Sequence, residues 1–275
     1  MPEGHTIHRL ALDLDRAFAG THPSVSSPQG RFAAGAALLD GREFLSADAW
    51  GKHLFVEFAG DAWLHVHLGL IGTFVIDDTP WAAEAPVLGQ LRLRIATEQH
   101  TADLRGPMTC AVLTPPEVDA VVARLGPDPL RPDADPDRAW ARISRSRKSI
   151  AELLMNQQVI AGVGNVYRCE ILHRHRIAPF TTGQQLKPGS WRLIWDDLVT
   201  LLPLGVATTR IVTVPEQVEQ VQAALAKGEE LRLPERRSLV YKRTGQPCWR
   251  CGSRIRERAV AGRTLYWCGR CQRRH

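Results

Sequence analysis

The 275 residues contain no apolar run long enough for a membrane-spanning helix. The most apolar stretch, Trp63 to Ile76, is too short and holds His65 and His67. The start lacks a basic region followed by an apolar run, which sets the expectation of no secretory signal and of a soluble, cytoplasmic protein. Cysteine is scarce, with six residues, too few for a secreted disulfide scaffold of this length. No internal repeat or low-complexity tract is present, so a repeat array is excluded. Acid is nearly missing from one segment: between Lys242 and His275 ten Lys or Arg face only Glu257, so this tail carries +9 of a +6 total and the rest of the chain carries −3.

What is present reads as globular. Hydrophobic residues make up 44% and charged residues 23%, and the length suits one large domain or two ordinary ones. The basicity is therefore a local patch. A second acid-free cluster is formed by Arg138, Arg142, Arg145, Arg147 and Lys148. Both fit a polyanionic partner, although a run of charge alone is more often a solvated face.

The pattern along the chain predicts an α+β protein. Ile7, Leu10, Ala11, Leu14 and Phe18 recur at helical spacing and mark a leading helix. From about residue 30 to 115 short alternating strands follow, such as Leu54, Val56 and Phe58, or Leu91, Leu93 and Ile95 between Arg92 and Arg94, and read as an antiparallel sandwich or barrel. Four prolines and four aspartates between Gly126 and Asp137 mark a domain boundary. Beyond it helices are expected over Ile150 to Val159 and Asn165 to Arg176, and along Trp191, Ile194, Trp195, Leu198 and Leu202. Residues 215 to 240 read as a polar, partly helical, mobile stretch. The expected divisions are 1–125, a linker over 126–137, a helical domain over 138–241, and a terminal module over 242–275.

Cys248-x-x-Cys251, sixteen residues, then Cys268-x-x-Cys271 is the spacing of a zinc ribbon: two thiolates from each of two tight turns converge on one tetrahedral ion, and the intervening residues suffice for a hairpin. One structural zinc per chain is expected. Two disulfides or a redox pair are the competing readings, disfavoured by a reducing compartment and by the duplicated pair. Cys110 and Cys169 stand alone and read as core residues.

Gly162-Val163-Gly164-Asn165 is a tight turn opening onto a helix, where backbone N–H groups attract phosphate and Asn165 is placed to cap the helix or donate to an oxygen. At the other end of the chain, removal of Met1 exposes Pro2 as a secondary amine, whose low pKa compared with lysine leaves a nucleophilic fraction near neutrality. Glu3 beside it is placed to move the protons that iminium chemistry requires. Pro and Glu are also favourable in the first turn of a plain helix, so this dipeptide alone does not decide.

In combination, Pro2-Glu3-Gly4, Gly51-Lys52-His53-Leu54, Gly162-Val163-Gly164-Asn165-Val166-Tyr167 and the terminal cysteines, in this order, resemble the formamidopyrimidine-DNA glycosylase and endonuclease VIII family of bifunctional repair enzymes. The likeness spans nearly the whole chain and leans toward actinobacterial endonuclease VIII. It implies a monomer with a β-sandwich, a helix-two-turn-helix domain and a zinc finger, acting on damaged double-stranded DNA away from any membrane. It implies that Pro2 is the Schiff-base nucleophile at C1′, with Glu3 the general acid and base. Lys52 and Arg263 would grip phosphates and assist catalysis, and Gly164 and Asn165 would meet the backbone. Leu70 would fill the void left by a flipped nucleotide, with Arg105 on the neighbouring loop, as extrusion of a stacked base requires. Two departures are visible: Thr6 stands where many members have glutamate, and Pro107 replaces an aromatic wedge. The first leaves residue 6 without a catalytic role; the second, with the divergent Ala207 to Pro215 loop, argues against strict 8-oxoguanine specialisation and toward oxidised pyrimidines.

Two rival readings remain at this stage. One is a catalytically silent DNA-binding protein, in which Pro2, Glu3 and Lys52 have no task. The other is a metallohydrolase built on His5 with His8 or His65 with His67, for which no carboxylate completes a site.

Overall fold

The computed structural model describes residues 2–78, 89–229 and 237–273. The chain divides into two compact units, Met1–Arg124 and Leu125–His275.

The first unit opens with α1 (Gly4–Phe18), and the five apolar residues at helical spacing form one buried stripe. After it come β1 (Ser24–Ser26), α2 (Ala33–Leu39), β2 (Phe44–Trp50), β3 (His53–Phe58), β4 (Ala62–His67), β5 (Thr73–Asp77), β6 (Leu91–Ala96), β7 (Thr101–Arg105), β8 (Thr109–Leu113) and α3 (Pro115–Ala123). The strands make two antiparallel four-stranded sheets, ordered β1-β6-β7-β5 and β2-β3-β4-β8, an open sandwich rather than a closed barrel. Alternation puts Leu54, Val56, Leu64 and Val66 from one sheet and Leu93, Ile95 and Leu104 from the other into a common core with α1. Each such side chain, taken from water, contributes roughly 1.5–3 kcal/mol. Arg94 departs from the simple alternation. It is buried, and its guanidinium makes paired bonds of 2.7 and 2.8 Å to Asp103 on the adjacent strand.

The second unit contains α4 (Pro136–Ile143), α5 (Ile150–Leu153), α6 (Asn165–Arg174), a 3-10 turn at Gly183–Gln185, α7 (Pro188–Thr208), α8 (Pro215–Ala226), and a hairpin of β9 (Ile255–Val260) and β10 (Arg263–Cys268). Trp191, Ile194, Trp195, Leu198 and Leu202 are buried along α7 as their spacing predicts. The helix expected over Ile150 to Val159 is one turn only. Beyond it Asn156 and Gln157 spend their side chains on local backbone: Asn156 accepts from Gln158 N, and Gln157 accepts from Gly162 N and donates to the Val163 carbonyl. Helix α6 stops at Arg174, and Arg176 takes a left-handed φ of 54°. The stretch expected to be mobile begins as a regular helix, α8, with Val218, Val221 and Ala224 buried; residues 230–236 of it lie outside the described residues.

The expected linker starts where the second unit starts, but its first residues are not a free connection. Gly126 to Pro129 are buried, Gly126 N bonds the Gln157 carbonyl at 2.8 Å, and Ala161 N bonds the Pro127 carbonyl at 3.0 Å. The packing explains the glycine. A Cβ at Gly126 would lie 2.4 Å from the Val159 carbonyl carbon and oxygen, backbone atoms that cannot yield. Gly126→Ala should therefore destabilise the second unit by about 2 kcal/mol or more. Gly189→Ala, in the first turn of α7 with open space around it, should be neutral or slightly stabilising. Chemical denaturation of the two variants checks this, and equal midpoints would refute it.

Candidate active site and nucleic-acid interface

In the first unit Pro2 is half-buried and precedes Glu3, which is fully buried and occupies the N-cap position of α1 with extended backbone. A carboxylate there lies at the positive end of the helix dipole. Lys52 sits in the two-residue turn between β2 and β3, where Trp50 pairs with His53 and Gly51 supplies the positive φ of 60° that a tight hairpin turn needs.

Behind Lys52 the outer face of the β3 and β4 ladder carries three histidines. His53 Nδ1 and His65 Nε2 are 2.9 Å apart with their rings stacked, and the His67 ring lies 4.9 Å from that of His53. Burial, then the neighbouring histidines and Lys52, push His53 down to about 3. Burial and His67 push His65 down to about 4. Both imidazoles are neutral, one nitrogen of the facing pair donating to the other. His67 Nδ1 accepts from Gly69 N at 3.2 Å, which ties this cluster to the loop carrying Leu70.

That loop is exposed and apolar: Leu70 is 48% and Ile71 86% accessible. It is packed against the loop after β7. A Cβ on Gly72 would fall 3.0 Å from the Gly106 carbonyl, one on Gly69 would fall 3.0 Å from Met108 Cβ, and Met108 N bonds the His67 carbonyl at 2.9 Å. Leu70 and Arg105, expected from distant parts of the sequence, thus share one edge. Ile71 and Met108, the latter 69% exposed, join them there without having been singled out. Arg105 donates to Asp103 at 2.7 Å, the same carboxylate that Arg94 holds. Burial raises the Asp103 pKa, but the Arg94 bond and charge, with Arg105, overcome this and leave it below the usual range.

In the second unit Gly164, rather than Asn165, is the N-cap of α6. Asn165 is buried and its side chain is engaged inward, Nδ2 donating to the Thr264 carbonyl of β10 at 2.9 Å and Oδ1 accepting from Arg168. Arg263 begins β10, directly after a two-residue turn in which Ala261 and Gly262 both have positive φ. It lines a cavity with Lys148, Met155 and Asn156. Arg147 lines another with Arg258 and Ala261. The second basic cluster of the sequence therefore splits. Arg147 and Lys148 face the hairpin tip, whereas Arg138 and Arg142 bond the carbonyls of Leu125 and Gln158.

The sulfurs of Cys248, Cys251, Cys268 and Cys271 all lie within 4.8 Å of one another, with Cys248 to Cys271 at 3.9 Å and Cys251 to Cys268 at 3.5 Å. A tetrahedral zinc with bonds of about 2.3 Å requires sulfur separations of about 3.8 Å, so the four residues fit one structural zinc. His5, His8, His65 and His67 join no comparable group among the described residues. His173 Nε2 lies 3.4 Å from Cys248 Sγ, and burial, then Arg250, Arg243 and Arg176, hold this histidine down to about 4, as a neutral neighbour of a metal ligand.

Comparison with known proteins follows the same division. Residues 1–110 match the formamidopyrimidine-DNA glycosylase N-terminal domain, 125–215 its H2TH domain, and 245–274 the zinc finger found in FPG and IleRS. Endonuclease 8 1 of Mycobacterium tuberculosis is 48% identical over 99% of this chain and 100% of its own length. The chain belongs to the formamidopyrimidine-DNA glycosylase and endonuclease VIII family. The formamidopyrimidine-DNA glycosylase of Thermus thermophilus is 31% identical over 86% of this chain and 85% of its own. A crystal structure of the Lactococcus lactis formamidopyrimidine-DNA glycosylase, non-covalently bound to DNA with an AP site, superposes with a TM-score of 0.77 at 22% identity, covering 99% of this chain and 100% of that one, and so shares the fold.

The histidine cluster gives this family member a defined acid sensitivity. His53 and His65 have folded pKa values of about 3 and about 4, below the ordinary 6.5, so the unfolded chain takes up protons first. The stability tied to their neutral forms is complete above about pH 6.5 and is lost as pH falls from there toward about 4. His53→Gln should flatten the fall in unfolding free energy across that window by about one proton. Urea titrations from pH 7 to pH 4 measure it; parallel curves for the two proteins would show that His53 titrates alike in both states.

Proposed function

We propose that this enzyme, by family a DNA glycosylase and AP lyase of base excision repair, uses Pro2 as its nucleophile and prefers oxidised pyrimidines and abasic sites. The observation that carries the mechanism is Glu3, a fully buried carboxylate directly after a half-buried proline. A buried carboxylate is costly, and packing alone would favour an apolar residue there.

With Met1 removed, the neutral Pro2 nitrogen attacks C1′ of the damaged nucleotide as the bond from C1′ to the base breaks, and the base leaves with a proton. Glu3 protonates the ring oxygen so that the sugar opens, giving an iminium between Pro2 and C1′. Loss of a C2′ proton expels the 3′ phosphate, loss of a further proton in a second elimination expels the 5′ phosphate, and water then hydrolyses the remaining iminium, freeing the nitrogen as an amine and the sugar fragment as an aldehyde. Lys52 and Arg263 bind phosphates around the lesion, and the start of α6 at Gly164 and Asn165 offers its positive dipole end to another. Leu70 enters the space vacated by the flipped nucleotide, with Ile71 and Met108 as apolar company and Arg105 beside them. An inward-turned Asn165 side chain supports a positioning task at that helix start as much as a direct contact.

Borohydride reduces an iminium to a stable amine, so adding it during turnover on abasic DNA should trap a covalent complex. Protein that retains Met1, or carries a tag before Pro2, has an amide there with a delocalised lone pair and should bind the same DNA yet trap and cleave little of it. Equal trapping by blocked and processed protein would assign the nucleophile elsewhere, with Lys52 the next candidate. If blocked and processed protein both fail to cleave while binding persists, the silent DNA-binding reading prevails.

Lesion choice has its own test. On duplexes with one defined lesion, thymine glycol, dihydrouracil and abasic sites should be processed faster than 8-oxoguanine opposite cytosine. The support is Pro107 in place of an aromatic wedge and the 48% identity to an endonuclease 8. The reverse ranking would overturn it.

A further inference from the structure

We propose, building on the reading above that places Arg105 beside the vacated space, that Arg94 and Asp103 are positioning residues for recognition of the base opposite the lesion. They fix the direction in which the Arg105 guanidinium meets that base.

The strands supply the geometry. Arg94 on β6 and Asp103 on β7 are directly paired, on the face turned away from the core side chains Leu93, Ile95 and Leu104. They are only 7% and 5% exposed. Two residues further along β7, on the same face, the side chain of Arg105 is 30% exposed. Asp103 Oδ2 accepts from both arginines, at 2.8 Å from Arg94 and 2.7 Å from Arg105, while Oδ1 accepts from Arg94 Nε at 2.7 Å. The paired bonds from Arg94 lock the carboxylate in one orientation, and the locked carboxylate sets where Arg105 stands.

Stability does not ask for this arrangement. A buried ion pair recovers little more than its desolvation cost, and apolar residues at two paired strand positions are often at least as stable. The charges are also unbalanced, since two guanidinium groups share one carboxylate and the more exposed of them is Arg105. With Asp103 alone, Arg105 would form a closed, neutral pair. Because Arg94 already satisfies Asp103, Arg105 is oriented by the carboxylate without being neutralised by it.

The backbone puts that cation at the right edge. Arg105 ends β7 and pairs with Thr73, the first residue of β5, directly after the loop of Leu70. Gly106 N donates to the Gln90 carbonyl at 3.1 Å, so the chain beyond Arg105 is held too. Once Leu70 fills the place of an extruded nucleotide, the base opposite has lost its partner and presents its pairing edge to the filled space. A guanidinium only donates, so it separates the four bases by the acceptors on that edge, and only if its direction is fixed.

The test is cleavage of duplexes carrying one abasic site opposite each of the four bases in turn, or opposite a tetrahydrofuran residue, which has no base. For each protein the four kcat/KM values are divided by its own value on the tetrahydrofuran duplex, so a loss of overall activity cancels. The wild-type ratios should spread by about fivefold or more, and Arg105→Ala should bring them within about twofold. Asp103→Asn and Arg94→Met should collapse the spread in the same way with Arg105 in place. Arg94→Lys, which keeps a charge beside Asp103, should retain a spread of about threefold. The double variant Arg94→Met, Asp103→Leu removes both charges together and leaves no orphan in the sheet; it should unfold in urea near the wild-type midpoint and still show the collapse, which a structural role alone does not give. The proposal is overturned if the Asp103 and Arg94 variants keep or widen the wild-type spread, or if the wild-type protein itself shows none. Collapse in Arg105→Ala without collapse in the others strikes this inference alone. An unchanged spread in Arg105→Ala strikes the placement of Arg105 beside the vacated space and the inference with it.

Discussion

Helix α6 is a ten-residue element in which Asn165 through His173 are all buried, and it is held by polar bonds as well as by the core packing of Tyr167, Ile171 and Leu172. The decisive one belongs to Glu170, whose carboxylate accepts from Thr213 Oγ1 at 2.8 Å and from the backbone N–H groups of Leu239, Val240 and Tyr241 at 2.7, 2.9 and 2.9 Å. Burying a carboxylate is expensive unless such donors surround it, and leaving those three N–H groups unpaired would be expensive too. Each side thus requires the other. The result fixes the chain immediately before the zinc-binding module. On the next turns of the same helix, buried Arg168 bonds the carbonyls of Ala151 and Val260, Cys169 Sγ accepts from Tyr266 N at 3.4 Å, and Asn165 bonds Thr264. One helix therefore sets the position of both strands of the hairpin, and with them Arg263.

The first unit relies on a different device. Its functional edge is carried by turns, and each turn is braced from behind by a polar group on a strand. Asp103 holds Arg105 through a carboxylate that Arg94 keeps ionised, and His67 holds Gly69 through a ring nitrogen that burial keeps unprotonated. The side chains proposed to meet a substrate thus sit on turns backed at short range by rigid strands, which keeps them placed before any ligand arrives.

Much of this was legible in the residues. The stripe on α1, the sandwich strands, α7 and the four-cysteine site follow from periodicity and spacing that are local in sequence. Pro2 and Glu3 stand out as an amine with a carboxylate beside it, Lys52 and Arg263 enter as candidates through a resemblance, and the order of motifs along the chain sufficed for that resemblance. What could not be read depends on partners far apart. Asn165 reads as a solvent-facing cap until Thr264, 99 positions later, takes its amide. Glu170 has no visible purpose until residues 239–241 arrive beside it. Arg94 fits an alternating strand with an outward face, and only the opposing Asp103 draws it in. The shortened helix at Ile150 was the one error with a local cause, since Asn156-Gln157-Gln158 is a run of side chains that compete for backbone. Gly126 looked like linker punctuation; the close approach of Val159 gives it a packing reason.

The contact between the Leu70 loop and the Arg105 loop has an evolutionary consequence. Gly72 lies so near the Leu68 and Gly106 carbonyls that a Cβ there would collide with backbone. Only glycine fits at position 72 unless one of the loops moves, so change at this edge is accepted more readily at the exposed side chains of Leu70, Ile71 and Met108 than at the backbone that carries them.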